Sequence, residues 1–311
     1  MNKENVLYRD RKDSKEGVHP TIPDSLVCFV QLLRPRQWSK NIFVFSGLLF
    51  YNGAFSLSAV MKSIFAFVMF CGISSCVYII NDIVDAKRDM LHPVKRNRPI
   101  PKGKISVKNA VILVFILSTS VILPSFGFNS KLGAIIIAYF ILNLLYSFKL
   151  KELFLVDLII ISTGFVLRYI SGVAVLNANI YVWFLLSVAF LTFFLGLNKR
   201  KKEMLSMQDC PHKHRKALGE YSIEFIDAAI PMIMACTVVS YILHIWHEMS
   251  AQYMLITVPV VMYGILRYEQ LTVKKNYGES PELVLLKDKG IIFTVLLWGL
   301  IYFLYSIALK V

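Results

Sequence analysis

The sequence predicts an all-α, polytopic integral membrane protein, a bundle of about nine transmembrane helices. Three observations lead there. Of 311 residues, 56% are hydrophobic and only 17% charged, whereas soluble domains carry about 45–50% apolar and about 25% charged residues. Apolar runs repeatedly approach the roughly 20 residues that a helix needs to cross about 30 Å of hydrocarbon. The basic residues fall on alternate loops. A disordered chain and a water-soluble fold are both excluded.

Residues 1–25 are polar, mixed in charge and without an apolar core, so they read as a cytoplasmic tail and not as a cleavable signal. The remainder, 26–311, reads as one transmembrane catalytic domain. Its spans are expected at 26–50, 57–80, 107–124, 130–148, 153–175, 180–197, 225–247, 251–270 and 290–309. Arg34-Pro35-Arg36 interrupts the first, whose opening turns belong in the membrane interface. The second runs into an acidic stretch. The fifth carries Asp157 and Arg168 in an otherwise apolar run, and the sixth ends in the basic cluster Asn198-Lys199-Arg200-Lys201-Lys202.

With the amino terminus inside, the segments through 41, 81–108, 149–152, 198–224 and 267–290 hold 30 of the 34 Lys and Arg residues. That asymmetry is the positive-inside rule and places the tail and all long loops in the cytoplasm of a cell (plasma) membrane protein. The net charge of +14 is thereby explained by topology and anionic lipid, without nucleic acid. The five cysteines are scattered and predict no disulfide framework. Cys210-Pro211-His212-Lys213-His214 has no matched second ligand pair and lies among lysines, so zinc is not expected.

The chemistry begins at the end of the second span. At about 100° per residue, Tyr78, Asp82, Asp85 and Asp89 fall within roughly 60° of one another, with Asn81 at the edge of the stripe. Three carboxylates, an amide oxygen and a phenol would face one cavity under the membrane surface. Like charges at this spacing cost about 0.2–0.5 kcal/mol per pair, so a cation is needed. Oxygen-only ligands suit Mg²⁺, which bridges one or two carboxylates to substrate phosphates. A solvated helix end neutralised by Lys87 and Arg88 is the simpler alternative. Pro93 should stop the helix near Leu91, and Pro99 and Pro101 should keep the next stretch extended. Lys95 and Arg98 then emerge beside the acids, and acid stripe plus basic loop is what a magnesium-bound diphosphate requires.

Intramembrane charges are functional candidates by default. Asp157 and Arg168 stand about 16 Å apart along one helix and cannot pair with each other. Ion pairs between helices are the structural alternative for each. Glycines at 164 and 172 allow another helix close to Arg168. Lys40, beside Trp38, sits at the membrane surface as an anchor or a phosphate ligand.

Asn81-Asp82-x-x-Asp85-x-x-x-Asp89 resembles the first aspartate motif of the UbiA prenyltransferase superfamily. His92-Pro93-x-Lys95-x-x-Arg98-Pro99-Ile100 and Arg34-Pro35-x-Gln37-Trp38-x-Lys40-Asn41 resemble its decaprenyl-phosphate phosphoribosyltransferase branch. So do Tyr146-Ser147-x-x-Leu150-Lys151 leading to Asp157, Gly164-Phe165-Val166-Leu167-Arg168, and Tyr277-Gly278-Glu279-Ser280-Pro281-Glu282 with Asp288.

The resemblance implies a nine-helix enzyme that moves 5-phosphoribosyl from phosphoribosyl diphosphate (PRPP) to a polyprenyl phosphate, releasing diphosphate. By resemblance, Asn81 and Asp85 are the foremost Mg²⁺ ligands, with Asp82 and Asp89 nearby or acting through water, and Asp82, Asp85 and Asp157 belong to the catalytic set. Lys40, Tyr78, Lys95, Arg98, Tyr146, Lys151, Lys199 and Arg200 would bind substrate phosphates, and Arg168 the lipid acceptor. Asp157 would orient Lys151 or Arg168.

An aromatic UbiA-type prenyltransferase using a prenyl diphosphate is the alternative. It should carry a second acidic motif after the sixth span, where this chain has cations. Glu220, Glu224 and Asp227 are helically spaced there but read as a solvated helix start. A transporter is disfavoured, since no pair of related halves with broken helices is visible. The sequence leaves open acceptor chain length and whether the protein forms a homo-oligomer.

Overall fold

The computed structural model describes residues 24–51, 56–90, 95–206, 216–249, 252–275, 284 and 287–308. The motif at 277–282, His92-Pro93, the tail before residue 24 and Cys210 to His214 lie outside them. Every regular element among the described residues is helical. In order they are α1 (Asp24–Leu33), α2 (Ser46–Leu49), α3 (Leu57–Val84), α4 (Ala86–Asp89), α5 (Val107–Phe128), α6 (Ser130–Phe148), α7 (Val156–Leu176), α8 (Val182–Ser206), α9 (Ile223–Leu243), α10 (Thr257–Lys275) and α11 (Lys289–Ala308).

Among the described residues, six helices are long and apolar enough to cross a membrane: α3, α5, α6, α7, α8 and α9 with its π-helical extension to Glu248. Two of the other three expected spans differ for visible reasons. The first is broken, because Arg34 takes a left-handed φ of 52° and Pro35 starts a 3₁₀ helix through Phe45 before α2. Arg36, Gln37, Ser39 and Lys40 make that stretch polar. The eighth corresponds to α10, which carries Arg267, Glu269, Lys274 and Lys275 in its second half. The last expected span corresponds to α11, Lys289–Ala308.

Local sequence sets the helix starts. Ser56, Ser106, Asn129 and Ser222 each accept a hydrogen bond from a backbone N–H in the first turn of α3, α5, α6 and α9, which satisfies one of the four otherwise unpaired donors. Packing then ranks the helices. α3 and α7 are 56% buried over their apolar windows and form the centre, while α5 is only 17% buried and faces lipid. The broken first span lies against α7 through glycine: a Cβ on Gly172 would stand 1.8 Å from the Val44 carbonyl oxygen, and one on Gly47 would stand 2.4 Å from Gly172. No larger residue fits at either place.

Candidate functional site

The acid stripe survives a bend at the end of α3. Asp85 caps that helix with φ −90° and ψ 1°, yet its N–H still reaches the Asn81 carbonyl at 2.9 Å and the Asp89 N–H reaches Asp85 at 2.8 Å. The carboxylates therefore keep their common face into α4. Their counter-charges come chiefly from distant segments. Buried Asp82 accepts from Arg34 and, at 3.0 Å, from Arg98. Arg98 also donates to Asp89 at 2.5 Å. Lys151, buried in the 3₁₀ turn Leu150–Glu152, meets Asp85 at 2.7 Å. Arg88 stands farther off, 3.8 Å from Asp85 and 3.6 Å from Glu152. Arg34 also lies over the Tyr78 ring at 5.3 Å.

The loop that delivers Arg98 is not extended. Lys95–Asn97 is a 3₁₀ turn, followed by hydrogen bonds from the amides of Lys102, Gly103 and Lys104 to the carbonyls of Arg98, Ile100 and Pro99. Proline at φ near −65° suits a tight turn as well as an extended strand, and Gly103 supplies the positive φ of 74° that completes it. The folded-back loop holds Arg98 against two carboxylates at once.

Among the described residues, no three His, Cys, Asp or Glu side chains converge on a metal-sized space. What the stripe offers is smaller. Lys151 and Arg88 both approach Oδ1 of Asp85, and among the described residues neither its Oδ2 nor the Asn81 side chain is engaged. These oxygens are one turn apart on one face. That donor set fits Mg²⁺, which takes few protein ligands and completes its shell with water and phosphate. Asp82 and Asp89, engaged by guanidinium groups, are placed to orient the cations.

A second polar cluster joins α7, α8 and the segment before α9. Asp157 accepts from Arg200 at 2.8 Å and from the Tyr221 hydroxyl at 2.9 Å. Tyr221 in turn accepts from the Leu155 N–H at 3.1 Å, where Leu155 takes a left-handed φ of 60°. Arg200 also bonds Glu203. Asp157 thus orients Arg200, and not Lys151 or Arg168 as the sequence suggested, because the bundle sets Lys151 against Asp85 and Arg168 against Asn41, Gly164 and Tyr139. Next to it, Lys199 lies within electrostatic reach of Lys40, Tyr146 and Glu203, and Arg200 within reach of Tyr146. Glu220, Glu224 and Asp227 are exposed, with Asp227 held by Lys201 at 2.5 Å, in agreement with a solvated helix start.

Arg168 stands apart from both clusters. Its guanidinium donates to Asn41 Oδ1 at 2.7 Å, the Gly164 carbonyl at 2.7 Å and the Tyr139 hydroxyl at 2.8 Å. The rings of Phe70, Tyr139 and Phe165 surround it within 6 Å. Sequence reasoning missed four of these partners as site residues: Arg34, Asn41, Tyr139 and Tyr221. The signal for the first two was their place in the motif around Trp38; Tyr139 and Tyr221 gave none.

The profile of the UbiA prenyltransferase family matches residues 41–287. This chain belongs to the UbiA family. It is similar to the decaprenyl-phosphate phosphoribosyltransferase of Corynebacterium glutamicum, 32% identical over 281 residues that cover 86% of this chain and 83% of that one. To the protein of the same name from Mycolicibacterium smegmatis it is 29% identical over 308 residues, covering 93% and 96%. A solved UbiA homolog from Archaeoglobus fulgidus bound to GPP and Mg²⁺ shares the fold, with a TM-score of 0.68 at 18% identity over 91% of this chain and 99% of that one. The UbiA member described here is a multi-pass, membrane-bound transferase.

Proposed function

We propose that this transferase moves 5-phosphoribosyl from PRPP to a polyprenyl phosphate such as decaprenyl phosphate, with Mg²⁺. The observation that carries the reading is the pairing of two unlike clusters. One is an acidic face with two open oxygens, at Asn81 and Asp85. The other is cationic, built from Lys40, Lys199 and Arg200, where a second acidic motif would serve a second metal-bound diphosphate. Similarity over most of the chain to proteins named for this activity supports it.

In this reaction a phosphate oxygen of the lipid bonds to the anomeric carbon of the ribose, and the bond from that carbon to diphosphate breaks, its electron pair leaving with the diphosphate. The nucleophile is already anionic at neutral pH, so positioning and charge neutralisation carry most of the rate without a strong base. Bound Mg²⁺ would neutralise the departing diphosphate. Asn81 and Asp85 would hold it, Lys95, Lys151 and Tyr78 would contact the donor, and Asp82 with Asp89 would keep Arg98 aimed at the phosphates. Lys40, Tyr146, Lys199 and Arg200 would face the remaining phosphate. The reading includes a cytoplasmic active site on the plasma membrane, and one catalytic domain over 26–311 behind a short tail.

Incubating purified protein with Mg²⁺, labelled PRPP and a polyprenyl phosphate tests it. Label appearing in the lipid extract is the expected result. Transfer only from a prenyl diphosphate to an aromatic ring would replace this reading with the other one.

A further inference from the structure

Arg168 has the composition of a ligand-binding residue and the surroundings of a strut. It is 4% exposed, and no carboxylate pairs with it among the described residues. All three guanidinium nitrogens are already engaged, two by side chains of other elements and one by its own helix. The aromatic rings around it supply the compensation that a counter-ion would otherwise give.

The most informative partner is Asn41. It is fully buried, accepts from Arg168, and donates toward Cys71 Sγ and Ser74 Oγ at 3.3 Å each. The residue before it in the chain is Lys40. Both lie in the Pro35–Phe45 3₁₀ helix, a geometry that rarely persists beyond three or four residues without support. Support is visible at each end. Trp38 donates to Ser75 on α3 at 3.0 Å, and the Val44 backbone rests on Gly172 of α7. Arg168 and Asn41 close the middle, joining α7, α6 and α3 to the segment that carries Lys40.

We propose that Arg168 is a positioning residue which acts through Asn41, holding the 35–45 segment and with it Lys40, which the proposed function sets beside a substrate phosphate. Arg168 itself does not touch substrate. This inference rests on the proposed function for the role of Lys40, but its mechanical part does not.

Two measurements test it. The first is amide hydrogen exchange on the full-length protein in detergent. Arg168→Gln and Asn41→Ala should each raise exchange within 35–45 by at least about tenfold, while the α8 to α9 region keeps wild-type protection. Unchanged exchange at 35–45 in both variants would overturn the proposal whatever the enzyme's activity. The second is a kinetic cycle with PRPP and polyprenyl phosphate. Arg168→Gln should alter the same constant, KM or kcat, as Lys40→Ala, and the double variant should be no worse than Lys40→Ala within about twofold.

Multiplicative losses in the double variant, or wild-type kinetics for Lys40→Ala, would sink it. Arg168→Lys should fail like Arg168→Gln, because an ammonium lacks the fork that bridges Asn41 and Tyr139; partial rescue by lysine would instead indicate a phosphate ligand. If Arg168→Gln does not fold, Asn41→Ala carries both comparisons. No lipid labelling by the wild-type protein would count against the proposed function and leave the exchange result standing.

Discussion

Lys199 and Arg200 are adjacent in sequence and equally basic, yet their replacement by glutamine should have unequal consequences for stability. The Arg200 and Asp157 side chains are 3% and 1% exposed, and their ion pair measures 2.8 Å. Removing one member of such a pair costs about 3–5 kcal/mol, since the other charge stays buried without compensation. Tyr221 still donates to Asp157 at 2.9 Å, and a hydrogen bond to a charged group retains about 1.5–3 kcal/mol.

The loss for Arg200→Gln should therefore lie near the lower bound, about 3 kcal/mol. Lys199 is half-buried and repelled by Lys40, so Lys199→Gln should change stability by no more than about 0.5 kcal/mol. Unfolding by denaturing detergent, followed by tryptophan fluorescence, measures both. Arg200→Gln/Asp157→Asn should recover most of the loss, because no uncompensated charge remains. Wild-type stability for Arg200→Gln beside a destabilised Lys199→Gln would refute the reading that Arg200, besides facing the phosphate, carries a buried ion pair that Lys199 lacks.

Asp85→Asn should lower turnover more than tenfold at saturating Mg²⁺ in protein that still inserts in the membrane, one decade being only about 1.4 kcal/mol of barrier; a variant retaining most of its activity would remove Asp85 from the metal face. Lys95→Ala should raise KM for PRPP about tenfold to a hundredfold, as expected from the 1.5–3 kcal/mol of a charge-assisted hydrogen bond, and leave KM for the lipid alone. Gly172→Ala should prevent accumulation of folded protein, since its Cβ would collide with the Val44 carbonyl; normal yield and melting would show that the first span can withdraw from α7.

The sequence by itself determined the all-helical membrane fold, the break at Arg34-Pro35, the face shared by Tyr78, Asp82, Asp85 and Asp89, and the impossibility of an Asp157 to Arg168 pair. These follow from quantities local to the chain: apolar run length, the 100° turn per residue and the restricted φ of proline. Local rules also misled, since two prolines suggested an extended loop where Gly103 permits a folded one.

Only the tertiary structure decided which cation serves which acid. Arg34 finds Asp82 across 48 residues, Lys151 finds Asp85 across 66 and Arg200 finds Asp157 across 43, while Arg168 reaches Asn41 across 127. Such partners are chosen by how helices pack, because in a medium without water a buried charge must be satisfied by whichever neighbour the bundle brings alongside. No periodicity along one helix records who that neighbour is.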